Sequence, residues 1–168
     1  MTLPLSPELK EIADKLNDPH PRVVIVVGTG VAINATGQHH AHWQGLLEHG
    51  VEHLMQTGQL TRTAADDRLK KLKAAFDPFQ LQGALAAAED IEHNLKYPNE
   101  AAFASWLESA FANFKTRDVE KAKAPLEALR DLHQAGALLL TTNYDSLLSD
   151  MMPDMHPVTW EEHDVSTA

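Results

Sequence analysis

The sequence predicts an α/β protein whose parallel sheet is partial and is interrupted by a large helical insertion. Three observations predict it. Val23-Val24-Ile25-Val26-Val27 is a continuous β-branched run that stops at Gly28, the pattern of a parallel strand buried on both faces. A second apolar run, 137–141, follows a helical pattern that ends at Gly136, a usual helix terminator. Between the two runs, residues 61–115 carry helical patterns and no strand; a crossover this long exceeds a plain connector and suits a lid or wall.

In chain order, 5–16 reads as a short amphipathic helix, with Ser6-Pro7 at its start and Asn17-Asp18-Pro19 at its end. The first strand follows over 23–27. Beyond Gly28-Thr29-Gly30 comes a polar connection, 34–42. A helix over 43–57 then places Trp43, Leu46, Leu47, Val51 and Leu54 on one face, expected to pack on the sheet. The insertion divides at Asp77-Pro78 and Tyr97-Pro98 into helices over 64–76, 78–95 and 99–114. A helix over 119–134 leads into the second strand, another begins near Asp145, and the tail 151–168 reads as loop with an extended piece at Val158-Thr159-Trp160.

Two strands that are apolar on both faces need neighbours. Each of Val23 to Val27 and Leu138 to Leu140 would gain about 1.5–3 kcal/mol from full burial. Forfeiting half of that costs on the order of 8 kcal/mol, comparable with the stability of a whole domain. The expectation is therefore that the chain is the N-terminal part of one domain lacking its C-terminal strands, or is completed by another chain or a second copy.

Composition removes several functions. The 168 residues are 43% hydrophobic, which suits one domain rather than a disordered chain. With 14 basic and 24 acidic side chains the formal charge is -10, which opposes a nucleic-acid backbone. There is no cysteine, so neither a disulfide framework nor a thiolate metal site is possible. No secretory pattern opens the chain, and its longest strongly apolar run is far too short for a bilayer, so the cytoplasm is the expected compartment.

The chemistry concentrates at two strand ends, where open parallel sheets collect ligands. Gly28-Thr29-Gly30 allows close backbone approach and positive φ, and the amides after it can point at oxygen atoms. A third glycine is absent, position 33 being Ile33, and no Gly-Lys-Ser/Thr loop follows; a tight turn is the competing explanation. Thr141-Thr142-Asn143-Tyr144-Asp145 forms the other end, where Asn143 tolerates unusual backbone angles and Asp145 caps the next helix, a role compatible with ligand contact. His39, His40 and His42 fit no helix or strand face and read as a solvated loop in preference to a metal site. Trp43 and Trp106 sit among leucines at helical spacing and read as core.

Together, Val26-Val27-Gly28-Thr29-Gly30-Val31-Ala32, Trp43-Gln44-Gly45-Leu46-Leu47 and Leu139-Leu140-Thr141-Thr142-Asn143-Tyr144-Asp145-Ser146-Leu147-Leu148 resemble the sirtuin-like NAD-binding family. More narrowly they resemble its branch in prokaryotic defence proteins, many of which hydrolyse NAD to nicotinamide and ADP-ribose. The resemblance implies a Rossmann-like sheet holding NAD between the two loops. Gly28, Thr29 and Gly30 would approach the diphosphate, with Val31 and Thr142 among the contacting positions. Asn143 would be catalytic, ordering the nicotinamide ribose and the attacking water, and Asp145 would contact the nicotinamide amide. Such a site suits the reaction, because breaking the glycosidic bond builds positive charge on the ribose and needs a held, polarised nucleophile.

Three departures matter. Ala32 replaces the serine usual after the glycine motif, removing one polar contact to NAD. Trp43-Gln44-Gly45 stands where the deacylating branch carries an acidic-Phe-Arg signature, so protein deacylation is the lesser enzymatic alternative; that branch's zinc-binding cysteines would lie beyond Ala168. The family's catalytic histidine stands in a Leu-His-Gly strand end, and none follows Asp145 here; His156 precedes proline and His163 precedes Asp164. The expectation is thus an NAD hydrolase domain without its general base, inactive by itself, with a non-catalytic NAD or ADP-ribose module as the alternative.

Overall fold

The computed structural model describes residues 6–18, 23–97 and 99–154. Most of these are helical, and two strands, β1 (Val24–Val27) and β2 (Leu138–Thr141), form one small parallel sheet. Val24 pairs with Leu138 and Val27 with Thr141, so both strands end level, and the amide of Leu138 donates to the carbonyl of Val23. The mixed α/β class and the parallel pairing agree with the sequence reading. The anticipated extended piece at 158–160 and both tail histidines lie outside the described residues.

The helices are α1 (Pro7–Leu16), α2 (Thr29–Thr36), α3 (Trp43–Gln56), α4 (Arg62–Phe76), α5 (Leu81–Leu95), α6 (Glu100–Phe111), α7 (Glu120–Gln134) and α8 (Leu147–Met151). Side-chain caps start α4 and α6: Thr61 accepts from the amide of Ala64, and Asn99 from that of Ala102. Gly136 turns the chain out of α7 at φ 100°, a left-handed angle that favours glycine.

Three expectations need correction. The connection 34–42 is not a simple polar loop: β1 passes through Gly28 directly into α2, and His39–Ala41 forms a 3-10 turn. Helix α2 exists because Ala32 and Ala35 bury against a core of Phe114, Leu126 and Leu147, and it stops at Gly37, which has φ 68°. Helix α3 packs against α4, α5, α6 and the 3-10 turn, with no substantial packing on the sheet. Its Leu46, Leu47, Val51 and Leu54 join Leu72, Ile91, Leu95 and Trp106 in the larger core. The bundle packs tightly enough that a Cβ on Gly50 would come within 3.0 Å of Ile91 and 3.3 Å of Trp106.

The third correction concerns the strands. They are not buried on both faces: Val27 is buried, while Val24, Val26, Leu138 and Leu140 are 49–67% exposed. One face of the sheet meets the helices and the alternate side chains stay open, as period-two geometry requires when a single helical layer is present. No helix among the described residues is long and apolar enough to cross a membrane.

Candidate functional site

The level ends of β1 and β2 bring both sequence motifs into direct contact. The hydroxyl of Thr141 donates to the carbonyl of Val27 at 3.2 Å and accepts from the amide of Asn143 at 3.0 Å. The side-chain nitrogen of Asn143 then donates to the carbonyl of Gly28 at 3.3 Å. Thr141 is therefore the pin that seats the Asn-Tyr-Asp turn on the glycine loop.

At this junction lies a cavity of about 220 Å³ whose lining includes Thr29, Thr142, Asn143 and Asp145 together with His40, His42 and Trp43. Four of the seven predicted site residues thus line this cavity. Gly28 joins them through its bond to Asn143. Gly30 and Val31 do not line the cavity, and Val31 packs its side chain on the second core while its amide returns to Gly28.

Among the described residues nothing sterically or conformationally requires glycine at position 28 or 30. Neither Gly28 nor Gly30 has positive φ, so backbone freedom is not what this loop uses. A Cβ at either position would meet nothing within 4 Å. What the pair provides is clear space in front of the N-terminus of α2, whose first amides receive no side-chain cap.

Asn143 carries an unusual liability. Its Oδ1 is buried and has no hydrogen-bond partner among the described residues. A buried acceptor left unsatisfied costs about 1–3 kcal/mol, so an orphan of this kind marks a place where something else completes the bonding. Beside it, half-buried Asp145 accepts from the amide of Leu147 at 3.1 Å as a local turn bond; the N-cap of α8 is Ser146, not the Asp145 the sequence suggested. Burial pushes its carboxyl above the usual carboxylate range, against the pull of the Leu147 amide and the Asn143 side chain.

His39 stays exposed, as a solvated loop would have it, while His40 and His42 are half-buried and hydrogen-bonded. The amide of Gly45 donates to Nδ1 of His42, making His42 the N-cap of α3. With Nδ1 accepting, Nε2 of neutral His42 carries the hydrogen and donates to Nδ1 of His39 at 3.2 Å; Nε2 of His39 then donates to Glu48 at 2.6 Å. Burial, helped by the neighbouring His39, lowers the pKa of His42. Burial acts to raise Glu48, but hydrogen bonds from His39 and Gln44 and the nearby imidazoles outweigh it and hold the carboxyl below its ordinary value. Gly45 is required here, because a Cβ would sit 2.1 Å from the carbonyl oxygen of His39. The available sequence signal was His42 directly before a helix start, where an imidazole nitrogen can substitute for the usual Ser, Asn or Asp acceptor.

A larger groove of about 620 Å³ runs between α4 and α5. Its charges satisfy one another, Arg68 with Asp90 and Lys71 with Asp67, each at 2.7 Å, and no orphaned polar atom faces it. The smaller cavity is the better candidate on chemistry. No protein-family model matches this chain, and no curated protein and no solved structure matches it.

Proposed function

We propose that the cavity binds the nicotinamide riboside half of NAD, and that the chain is a sirtuin-like domain of the NAD-hydrolysing type. The observation that carries the reading is the orphaned Oδ1 of Asn143, buried beside the uncapped N-terminus of α2. A nicotinamide ribose offers the hydroxyl donors that this acceptor lacks. At about 220 Å³ the cavity falls below the roughly 300–1,000 Å³ common for whole ligands, so it suits half a dinucleotide. The diphosphate would then lie outside, over the clear space at Gly28 and Gly30, where helix amides and the helix dipole favour anionic oxygen.

Asn143 would orient the ribose, and Asp145, whose raised pKa reflects a poorly hydrated carboxyl, would read the nicotinamide amide. Turnover further needs a proton acceptor, and the resemblance assigns none within this sequence. Calorimetric titration of the purified chain with NAD, ADP-ribose and nicotinamide tests the reading. Saturable binding of NAD that is lost in Asn143→Ala supports it. Binding of ADP-ribose with no discrimination for NAD would favour the non-catalytic module, and no binding of either would remove the proposal.

A further inference from the structure

Resting on that reading, we infer that His40 is the proton acceptor for the water that attacks NAD. Two histidines line the same cavity as Asn143, and their bonding separates them. Both ring nitrogens of His42 are engaged, Nδ1 by the amide of Gly45 and Nε2 by His39. His40 has only one engaged nitrogen. Its Nε2 lies 2.9 Å from the carbonyl oxygen of Ala110, and because a carbonyl can only accept, Nε2 must carry the hydrogen of the neutral ring. The remaining nitrogen, Nδ1, therefore holds a basic lone pair, and it has no hydrogen-bond partner among the described residues.

This is the arrangement a general base needs: one nitrogen fixed by a backbone carbonyl, which sets the tautomer, and the other free. The ring is also held in place, stacked on His49 at 5.1 Å between centroids and set against Phe114 at 5.0 Å. His49 does not compete for the proton. Its Nδ1 accepts from the indole of Trp106 at 3.1 Å, and burial, with His40 and His53 nearby, lowers its pKa despite Glu52. The other titratable groups around the cavity are His42, already engaged, Tyr144, whose phenol is a donor rather than a base, and Asp145, one of whose oxygens accepts from the amide of Leu147.

The step balances without any further reactant. Water oxygen bonds to the ribose carbon that carries nicotinamide, and the carbon–nitrogen glycosidic bond breaks. Its electron pair returns to the pyridinium ring and leaves neutral nicotinamide. The water proton passes to Nδ1 of His40 and from there to solvent, so NAD and water yield nicotinamide, ADP-ribose and one proton.

The test uses purified chain, NAD binding by calorimetry and nicotinamide release by chromatography. His40→Gln is the informative variant, because a glutamine amide can still donate to Ala110 but offers no base. We expect it to bind NAD within about threefold of the parent and to release nicotinamide about 10²- to 10⁴-fold more slowly, the usual worth of a positioned base. Added imidazole should restore release in His40→Ala, where the ring leaves a space, and should leave His40→Gln unchanged. A parent chain that binds NAD but releases no nicotinamide overturns the role of His40 while the binding reading stands. So does undiminished release in His40→Gln. Absence of NAD binding by the parent removes both.

Discussion

Replacing Asn143 by alanine should separate stability from ligand binding, because on the proposed reading the side chain contributes little to the folded chain and much to the ligand. Within the protein, the substitution removes the 3.3 Å hydrogen bond from Nδ2 to the carbonyl of Gly28, together with the weaker pull of the Asn143 side chain on the Asp145 carboxyl. Such a bond is worth about 0.5–1.5 kcal/mol, and its length places it toward the lower figure. The same substitution deletes the buried, unpartnered Oδ1, relieving about 1–3 kcal/mol of uncompensated desolvation. The net should lie between about 0.5 kcal/mol of destabilisation and about 2.5 kcal/mol of stabilisation. With ligand the sign reverses on the proposed reading: if the orphan accepts from the ribose, its loss should weaken NAD at least about tenfold, or about 1.4 kcal/mol. Urea unfolding of the ligand-free chain, paired with calorimetric titration, reads both quantities. A ligand-free loss above about 1 kcal/mol would show that Oδ1 is satisfied inside the protein, and the functional argument from it would fail.

The remaining predictions concern the supports of the site. Thr141→Val keeps the shape but removes the hydroxyl that bridges Val27 and Asn143; it should cost about 1–2 kcal/mol in urea unfolding and weaken NAD as well. Gly45→Ala drives a methyl group into the His39 carbonyl, so it should lose about 1–3 kcal/mol or more and displace His40, whereas Gly30→Ala, with open space at its Cβ, should fold normally and lose NAD affinity only. Because the folded-state pKa of His42 lies below its ordinary 6.5, the unfolded chain binds that proton more tightly; stability is full above pH 6.5 and is lost as pH falls through the depressed value. His42→Asn retains a helix-capping acceptor but cannot titrate, so its melting temperature should fall less steeply than the parent's on acidification, the residual slope belonging largely to His49, whose pKa is also lowered.

The parts of the fold legible in the sequence were those whose signal is local and periodic. The β-branched run of β1, the leucines of β2 and the amphipathic spacing of the insertion helices each state their own conformation, and Gly136 states where α7 stops. Helix α2 was hidden because it is short, begins within a glycine motif and contains no polar face to mark a period; only its burial against Phe114, Leu126 and Leu147 makes it a helix. The destination of α3 was equally hidden. An apolar stripe says that a helix is covered and is silent on what covers it, so Leu46, Val51 and Leu54 could point to a sheet or to α4, α5 and α6 with the same spacing.

The site divides along the same line. Asn143 and Gly28 were legible because strand ends are where a parallel sheet gathers ligands, and level ends then bring the two loops within hydrogen-bond distance. His40 was not, because its significance is a property of three distant residues at once: Ala110, which fixes the tautomer from the end of α6; His49, which holds the ring from α3; and Asn143, which shares the cavity from the end of β2. No window of sequence contains that triangle. On the proposed reading the insertion that read as a wall is part of the chemistry, since α6 supplies the carbonyl that leaves Nδ1 of His40 free. Shortening α6 by a turn at its C-terminal end would remove that carbonyl, and with it the fixed tautomer, while both sequence motifs remained intact.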